Sequence, residues 1–557
     1  MSAASNPIFM LYIILYKIIK VNFQYSMKRK IFVILPCLFL YLVALSTENE
    51  EINKQIEFQT QKFKYILETA AKYHPDSLDI VKISDEAFAS LLQAMDKESF
   101  YYDKSMLKRV QESHAGVSYG IGIETISIDD TIFVFQVFEN TPADSAGIEI
   151  GDVILEVDGI PASGKTKSEI DELISGDDGT EVNILIKSIN SNNELNYKVI
   201  RKDILMPGLT TAYMFPKTNI GIFVINRFSE NTSSEFKSKA QSMLQSGMKR
   251  VIIDVRNNPG GYMTVVDEIL DYFINGEKLL TKAVSGSPDF SAEIYSNPGD
   301  FLEDMPIIVL VDENSASGSE ILAGVVQDYD RGIVIGKRTY GKGTIQRIWN
   351  MNDTTGFKLT VGKYYTPSGR DVQKKNTDMD YELSGKLNSK VDLKEYKSKI
   401  DELGGFGKVE LYKSESGRVI VGGGGVVPDV IVDKDTLTQL TNLLIRHGLF
   451  FRWSIMFKSI KGSEIKDIYG SDFRKFNEEF QITDELIREF AAYCLNKNLW
   501  NTDMYNQDKS YFLTYLKASI ANVIWGYDAF SEILCVVDNQ LVAAVLETPK
   551  AAAMIIE

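Results

Sequence analysis

Residues 306–320 read Pro306-Ile307-Ile308-Val309-Leu310-Val311-Asp312-Glu313-Asn314-Ser315-Ala316-Ser317-Gly318-Ser319-Glu320. The first six are apolar without polar alternation, as in a strand buried on both faces of a parallel sheet. Asp312 to Ala316 then turn the chain into a helix whose first turn is Ser317-Gly318-Ser319-Glu320. A serine at such a turn lies where backbone N–H groups and the positive helix end can stabilise a developing oxyanion. Small Ala316 and Gly318 leave room for a substrate carbonyl. The competing reading is that these serines only cap the helix, the commoner use of the pattern.

Working outward, apolar runs at Ile220–Ile225, Arg250–Val255 and Gly332–Ile335 alternate with helical patterns at Ser234–Gln245, Thr264–Ile274 and Ser319–Asp328. Strands separated by helices of that length predict an α/β core with a largely parallel sheet over residues 206–435. The run Val251 to Val255 opens through Arg256-Asn257-Asn258-Pro259 into Gly260-Gly261. Its N–H groups can form the second half of an oxyanion hole, or the glycines can be no more than a turn.

A nucleophilic serine needs a base. The three histidines, His74, His114 and His447, all lie outside the α/β region, so a Ser–His–Asp arrangement would have to recruit its base from another segment. A lysine made neutral by burial is the alternative. Lys342 in Tyr340-Gly341-Lys342-Gly343-Thr344-Ile345-Gln346 is the candidate, with Gln346 as a group that could orient its amine. An ordinary exposed turn lysine is the bland reading, and the glycine spacing is wrong for a Walker phosphate loop.

The flanking regions differ in rhythm. Phe63, Ile66, Leu67 and Ala70 have helical spacing, so residues 47–115 are expected to be helical. Residues 116–205 alternate short β runs, Thr131–Phe135 and Val182–Ile186, with Gly/Asp turns. Residues 436–557 return to helical periodicity with several aromatics. At the N-terminus, Lys28-Arg29-Lys30 precede the apolar run Ile31–Leu45 and the small residues of Ala44-Leu45-Ser46. This predicts a secretory signal over residues 1–46 with translation starting at Met27. A retained membrane anchor is the rival, although the run is shorter than the roughly 20 residues a span needs.

Composition narrows the classes. A chain of 557 residues, 44% apolar, can bury roughly three or four cores. The net charge of −16, with no basic stripe, argues against nucleic acid as a partner. Cys37 falls in the signal, and Cys494 and Cys535 could form one disulfide or remain two buried thiols. No metal-ligand spacing appears.

Taken together, these segments resemble the C-terminal processing peptidases, or tail-specific proteases. Ser315-Ala316-Ser317-Gly318-Ser319-Glu320 is similar to the family's S-A-S-A-S-E motif, which implies that Ser317 attacks. Gly341-Lys342-Gly343-Thr344-Ile345-Gln346 is similar to G-K-G-x-x-Q, which implies the base Lys342 and its partner Gln346. Arg256 to Gly261 resembles the R-x-N-x-G-G turn, and Tyr364-Tyr365-Thr366-Pro367-Ser368-Gly369-Arg370 a structural or substrate-lining strand. Tyr119-Gly120-Ile121-Gly122-Ile123 resembles a PDZ carboxylate-binding loop, supported by Thr141 to Gly147 and Gly151 to Ile154. The likeness covers most of residues 95–435 and is much weaker beyond Thr436.

The resemblance implies a multidomain α/β protein. Its parts are a helical N-terminal segment, a mostly β PDZ domain, a peptidase core with a ClpP/crotonase-like sheet, and a helical C-terminal region. It implies a Ser–Lys serine endopeptidase without metal or other cofactor, with Gly318, Gly260 and Gly261 as oxyanion donors. Its substrates would be exported proteins with unstructured apolar C-termini, in the bacterial periplasm or at the outer face of the inner membrane. The alternative is an inactive PDZ-bearing binding or scaffold protein. Membrane association through the N-terminal segment, an adaptor and a homo-oligomer stay open. Two departures stand out: Gly318 replaces the family's alanine, and Ile174-Ser175-Gly176 lacks the basic residue that many relatives carry before the glycine. A polar stretch from about Asp371 to Arg418, and Gly422 to Gly425 after it, enlarge the end of the core.

Overall fold

The computed structural model describes residues 28–351, 354–374 and 411–556, with the backbone alone for residues 28–49, 112–115 and 556. The expected start at Met27, the His114 side chain and most of the polar stretch before Arg418 lie outside the described residues. The chain divides into two compact units, residues 1–91 and 92–557.

In the first unit a single helix runs over Lys28–Tyr73, and a second, Ile80–Gln93, begins there. The Phe63 and Phe88 rings meet at 5.9 Å. Among the described residues no single helix is long and apolar enough to cross a membrane.

The second unit opens with one short strand set among the helices of residues 47–115. Strand β1, Phe100–Tyr102, interrupts the helices, because three consecutive aromatics favour a pleated surface. The Asp96 carboxylate caps the turn before it, and Asp103 starts the following helix, Lys104–Ala115, through the Met106 amide.

The β module comes next, with strands β2 (Val117–Gly120), β3 (Ile123–Ile128), β4 (Thr131–Val137), β5 (Val153–Val157), β6 (Ile160–Pro161), β7 (Glu181–Lys187), β8 (Glu194–Ile200) and β9 (Lys202–Leu205). Its sheet has the order β3-β4-β5-β7-β8, with β6 on β5, while β2 pairs with β9. Helix Lys167–Ile174, started by a Thr166/Glu169 capping box, buries Ile170 and Ile174 in the core with Val134, Ile154 and Ile184. Strand β3 is therefore the sheet's edge.

The α/β core contains β10 (Leu209–Met214), β11 (Ile220–Ile225), β12 (Arg250–Asp254), β13 (Leu279–Ser285), β14 (Ala292–Tyr295), β15 (Ile307–Val311), β16 (Gly332–Gly336), β17 (Thr344–Asn350), β18 (Gly356–Tyr365), β19 (Leu411–Lys413), β20 (Val419–Val421) and β21 (Val430–Ile431). The main sheet has the order β10-β11-β12-β15-β16-β21 and is parallel except for the β10–β11 pair. Ile253, Val309 and Val334, in register, face the helices Thr232–Gln245, Met263–Asp271 and Gly318–Asp328. Ile252, Ile308 and Ile333 face the other way, onto Leu541, Ala544 and Ala551 of the helix Asn539–Ile556. Both faces are covered, which is why the runs are apolar throughout. A second sheet, β1-β18-β13-β14 with β17 on β18, stands beside the first.

The rest is helical, around Phe450, Trp453, Phe476, Phe490 and Phe512. From helix Leu449–Tyr469, Phe451 and Ile455 pack on Ile128 and Phe133 of the β module, with Val523 beside them. Arg452 and Lys497 pair there with Asp129, and Lys458 with Glu149. Cys494 and Cys535 are separate buried thiols, one in the helical core and the other beneath the sheet.

Candidate active site

The turn after β15 is built by side chains folding back on their own backbone. Asp312 Oδ1 accepts the amides of Asn257, Asn314 and Ser315, which ties this turn to the one after β12. The three serines of the turn then separate. Ser315 is buried and donates to Val255 O (2.8 Å), and Ser319 is buried and donates to Asn258 O (3.0 Å). Ser317, between them, is half-buried and has φ 54° and ψ −113°. That backbone is strained for a residue with a Cβ, a state held only where the surroundings over-determine it.

Two buried groups do the holding. Glu320, wholly buried, accepts from Ser317 N (3.0 Å) and Lys342 N (2.7 Å) on Oε2, and from Thr339 Oγ1 (2.6 Å) and Gly341 N (2.7 Å) on Oε1. The backbone nitrogens of Ser317 and Lys342 therefore lie within about 5.7 Å of each other, the sum of their two bonds to one oxygen. Burial pushes the Glu320 carboxyl up to about 7, against the pull of these four donors. The buried Tyr364 hydroxyl reaches Ser317 O (3.2 Å) and Lys342 O. One carboxylate and one phenol thus gather the serine and the lysine loop from two sides.

The Lys342 amine is paired with Glu98, 3.5 Å away. Gln346 directs its amide hydrogens to Thr344 Oγ1 (3.0 Å) and Thr360 Oγ1 (3.1 Å), so its expected bond to the lysine amine is replaced by two threonine bonds. His74 and His447 are both exposed.

The glycine turn lies against the serine. A Cβ on Gly260 would come within 2.7 Å of Ser317 Cβ and 3.0 Å of Gly318 N, and φ there is 105°. The Gly260 amide itself donates to Asn258 Oδ1 (2.8 Å). The Gly261 and Gly318 amides have no protein partner among the described residues. A Cβ on Gly318 would meet Val266 at 2.8 Å, so the position is kept small by packing. Arg370, wholly buried, pairs with Asp328 (2.8 Å) and bonds Gln327, so with Tyr364 the Tyr364–Arg370 stretch is framework.

In the β module, the Tyr119–Ile123 loop leads into the β3 edge. Tyr119 O accepts from Ser175 Oγ (2.8 Å), Ile121 O from Ala143 N (2.8 Å) and Gly122 O from Phe138 N (3.0 Å). Gly122 has φ 88°, and a Cβ there would fall 2.3 Å from that of Thr141. Helix Lys167–Ile174 runs alongside, with Thr125 Oγ1 bonded to Asp171 (2.6 Å). The cation nearest Gly176 is Arg201, whose guanidinium donates to the carbonyls of Leu173 and Ile174 at the helix end.

Sequence reasoning passed over Glu320 and Glu98. The first had a signal, a glutamate three residues past a serine at a helix start; the second had none.

The Peptidase family S41 model matches residues 219–383, a PDZ domain model residues 133–188, and a family of unknown function, DUF8443, residues 441–526. A carboxy-terminal-processing protease of Bartonella bacilliformis is 30% identical over 337 residues, 59% of this chain and 75% of that protein. A CtpA-like serine protease of Staphylococcus haemolyticus is 29% identical over 343 residues, 61% of this chain and 68% of that one. Among solved structures, the photosystem II D1 C-terminal processing protease is 24% identical, covering 57% of this chain and 85% of that one, with a TM-score of 0.33. The parts described define a serine peptidase that carries a PDZ domain. The chain belongs to the carboxy-terminal-processing proteases of peptidase family S41.

Proposed function

We propose that Ser317 is the nucleophile and Lys342 the general base of an acyl-enzyme mechanism. A neutral Lys342 amine takes the Ser317 hydroxyl proton as Oγ bonds to the scissile carbonyl carbon. The oxyanion is stabilised by the N–H groups of Gly318 and Gly261, with Gly260 lending closeness instead of its amide. Collapse expels the amine, which takes the proton from the Lys342 ammonium. Water then attacks the ester with Lys342 again as base. Gln346 serves the lysine loop from β17.

The substrates on this reading are exported proteins with unstructured, apolar C-termini, which add as a strand to β3 beside helix Lys167–Ile174 with the terminal carboxylate on the Tyr119–Ile123 amides. The modules are taken as residues 116–205, 206–435 and 436–557, and residues 1–46 as the export signal. The observation that carries the mechanism is the shared Glu320 oxygen on which Ser317 and Lys342 converge.

Ser317→Ala and Lys342→Ala are each expected to lower turnover of an unfolded protein by at least about 10⁴-fold with the melting temperature unchanged. Normal turnover in Lys342→Ala would sink the assignment. A substrate with an amidated C-terminus is expected to raise KM and leave the chemistry at Ser317 intact.

A further inference from the structure

Strand β3 carries a different chemistry on each of its faces. Thr125 turns toward helix Lys167–Ile174, where its hydroxyl bonds Asp171 (2.6 Å). Ile126 and Ile128 lie on the opposite side, among Phe451, Ile455 and Val523 of the C-terminal helices. An antiparallel sheet of this kind can leave its outer face to water. Here helix Leu449–Tyr469 covers it, held by the Phe135–Phe451 ring contact at 5.1 Å and by the pairs that Arg452 and Lys497 make with Asp129 at the β3–β4 turn. The cover is incomplete at one place. Ile128 is only 3% exposed beneath it, while Ile126, two residues nearer the Tyr119–Ile123 loop, is half-buried. Beside Ile126 the helices leave a cavity of about 160 Å³, whose walls include Phe135, Ile445, Phe450, Tyr515 and Phe530. Gly448, between helices Gln439–Arg446 and Leu449–Tyr469, lines it too, with φ 63°. A Cβ there would fall 2.7 Å from Ile128 Cδ1 and 3.8 Å from Ile126 Cδ1. A cavity of this size with aromatic and aliphatic walls takes one apolar group of roughly benzene size.

We propose that this cavity is a substrate subsite: it receives an apolar side chain from the third residue before the substrate's C-terminal one. The inference rests on the reading of β3 as the strand to which the substrate adds. With the terminal carboxylate on the Tyr119–Ile123 amides, an antiparallel peptide sets its last residue opposite Ile123 and each earlier one opposite the next residue of β3. The third residue back then lies opposite Ile126. Directly opposed side chains share a face of the sheet, with Cβ atoms roughly 5 Å apart, so this one points away from helix Lys167–Ile174 and toward the cavity. Its neighbours have no such place. The residue opposite Thr125 points to Asp171, the residue opposite Glu124 meets an exposed acidic side chain, and the residue opposite Ile128 finds that face already filled by Phe451 and Ile455. The C-terminal helices thereby add a second reading wall to a module that alone would read only the side chains turned to its own helix.

The test is binding of short labelled peptides to the full chain carrying Ser317→Ala, read by fluorescence anisotropy, with peptides identical except at the third residue before the last. Leucine there is expected to bind about tenfold more tightly than serine. Leucine moved one residue further back, opposite Ser127, is expected to bring no gain. Ser519→Leu, which puts a larger apolar side chain into the same cavity from helix Lys509–Trp525, is expected to cut the preference below about twofold and leave the affinity for the serine peptide unchanged. Equal affinity for the leucine and serine peptides overturns the subsite, as does a preference that survives Ser519→Leu in a variant that melts like its parent. Should Ser519→Leu fail to fold, Phe530→Ala enlarges the cavity instead: the preference is expected to move from leucine to tryptophan, and an unmoved preference overturns the subsite. The amidated leucine peptide separates the two claims. If amidation weakens binding while leucine and serine bind alike, the subsite fails alone. If amidation costs nothing, the reading of the loop and β3 has failed first.

Discussion

The Ser317 turn and the seam between the PDZ module and the C-terminal helices are held by opposite means. Around Ser317 the fixing groups are polar and buried: Glu320, Tyr364 and Asn258 hold backbone atoms by hydrogen bonds of fixed direction, Asn258 through the Gly260 amide. At the seam Phe451, Ile455 and Val523 lie on Ile128 and Phe133, with ion pairs at the rim. Directional bonds set positions to fractions of an ångström, which a nucleophile needs. Apolar burial gives adhesion with little angular demand, which suffices to keep one module against another.

That contrast can be broken from either side. The largest effect is expected at Glu320. Glu320→Ala leaves four donors unmatched and frees the lysine loop, so kcat is expected to fall about 10²-fold and stability by about 3 kcal/mol, read by turnover and urea unfolding. Equal loss of stability with kcat preserved would erase the distinction drawn here. Phe451→Ala is the converse: about 3 kcal/mol lost, with cleavage of a short ester substrate at Ser317 nearly unchanged.

A third test uses pH. Asp267, on the helix that packs Val266 against Gly318, has Oδ1 on Thr281 and Oδ2 without a hydrogen-bond partner among the described residues, and burial pushes its carboxyl up to about 7. Its folded value exceeds the unfolded one near 4, so the folded chain binds the extra proton between these values. The contribution of this one group to stability is full below about pH 4 and is lost as pH rises toward and through 7. Asp267→Asn is expected to level that fall and to be about 2 kcal/mol more stable than wild type at pH 7.5, measured by urea midpoints. The smallest effect is expected for Asp129→Asn at the seam, under about 1 kcal/mol and reduced further by salt, because Asp129 is largely exposed.

The sheet was legible because its strands carry their burial in their own residues, and Ile220–Ile225 emerges with the expected bounds. The serine, the lysine and the glycine turn were legible as local patterns. Strand β1 was not, since three residues carry little periodicity and its reason for existing is β18. Glu98 was illegible for the same cause: its turn is anchored at Thr360 through Asp96. Aromatic spacing in residues 449–455 announces a helix but not the module that Phe451 will touch. The Gln346 bonds depend on two threonines brought together by the β17–β18 pairing.

The helix Asn539–Ile556 is the lid on one face of the catalytic sheet, and Arg256, beside the glycine turn, is paired with Asp538 at its start. During synthesis the sheet strands emerge more than a hundred residues before that cover exists. Without it Ile252, Ile308 and Ile333 would lack their apolar cover, so the sheet that carries Ser317 depends on residues 539–556 for its second face.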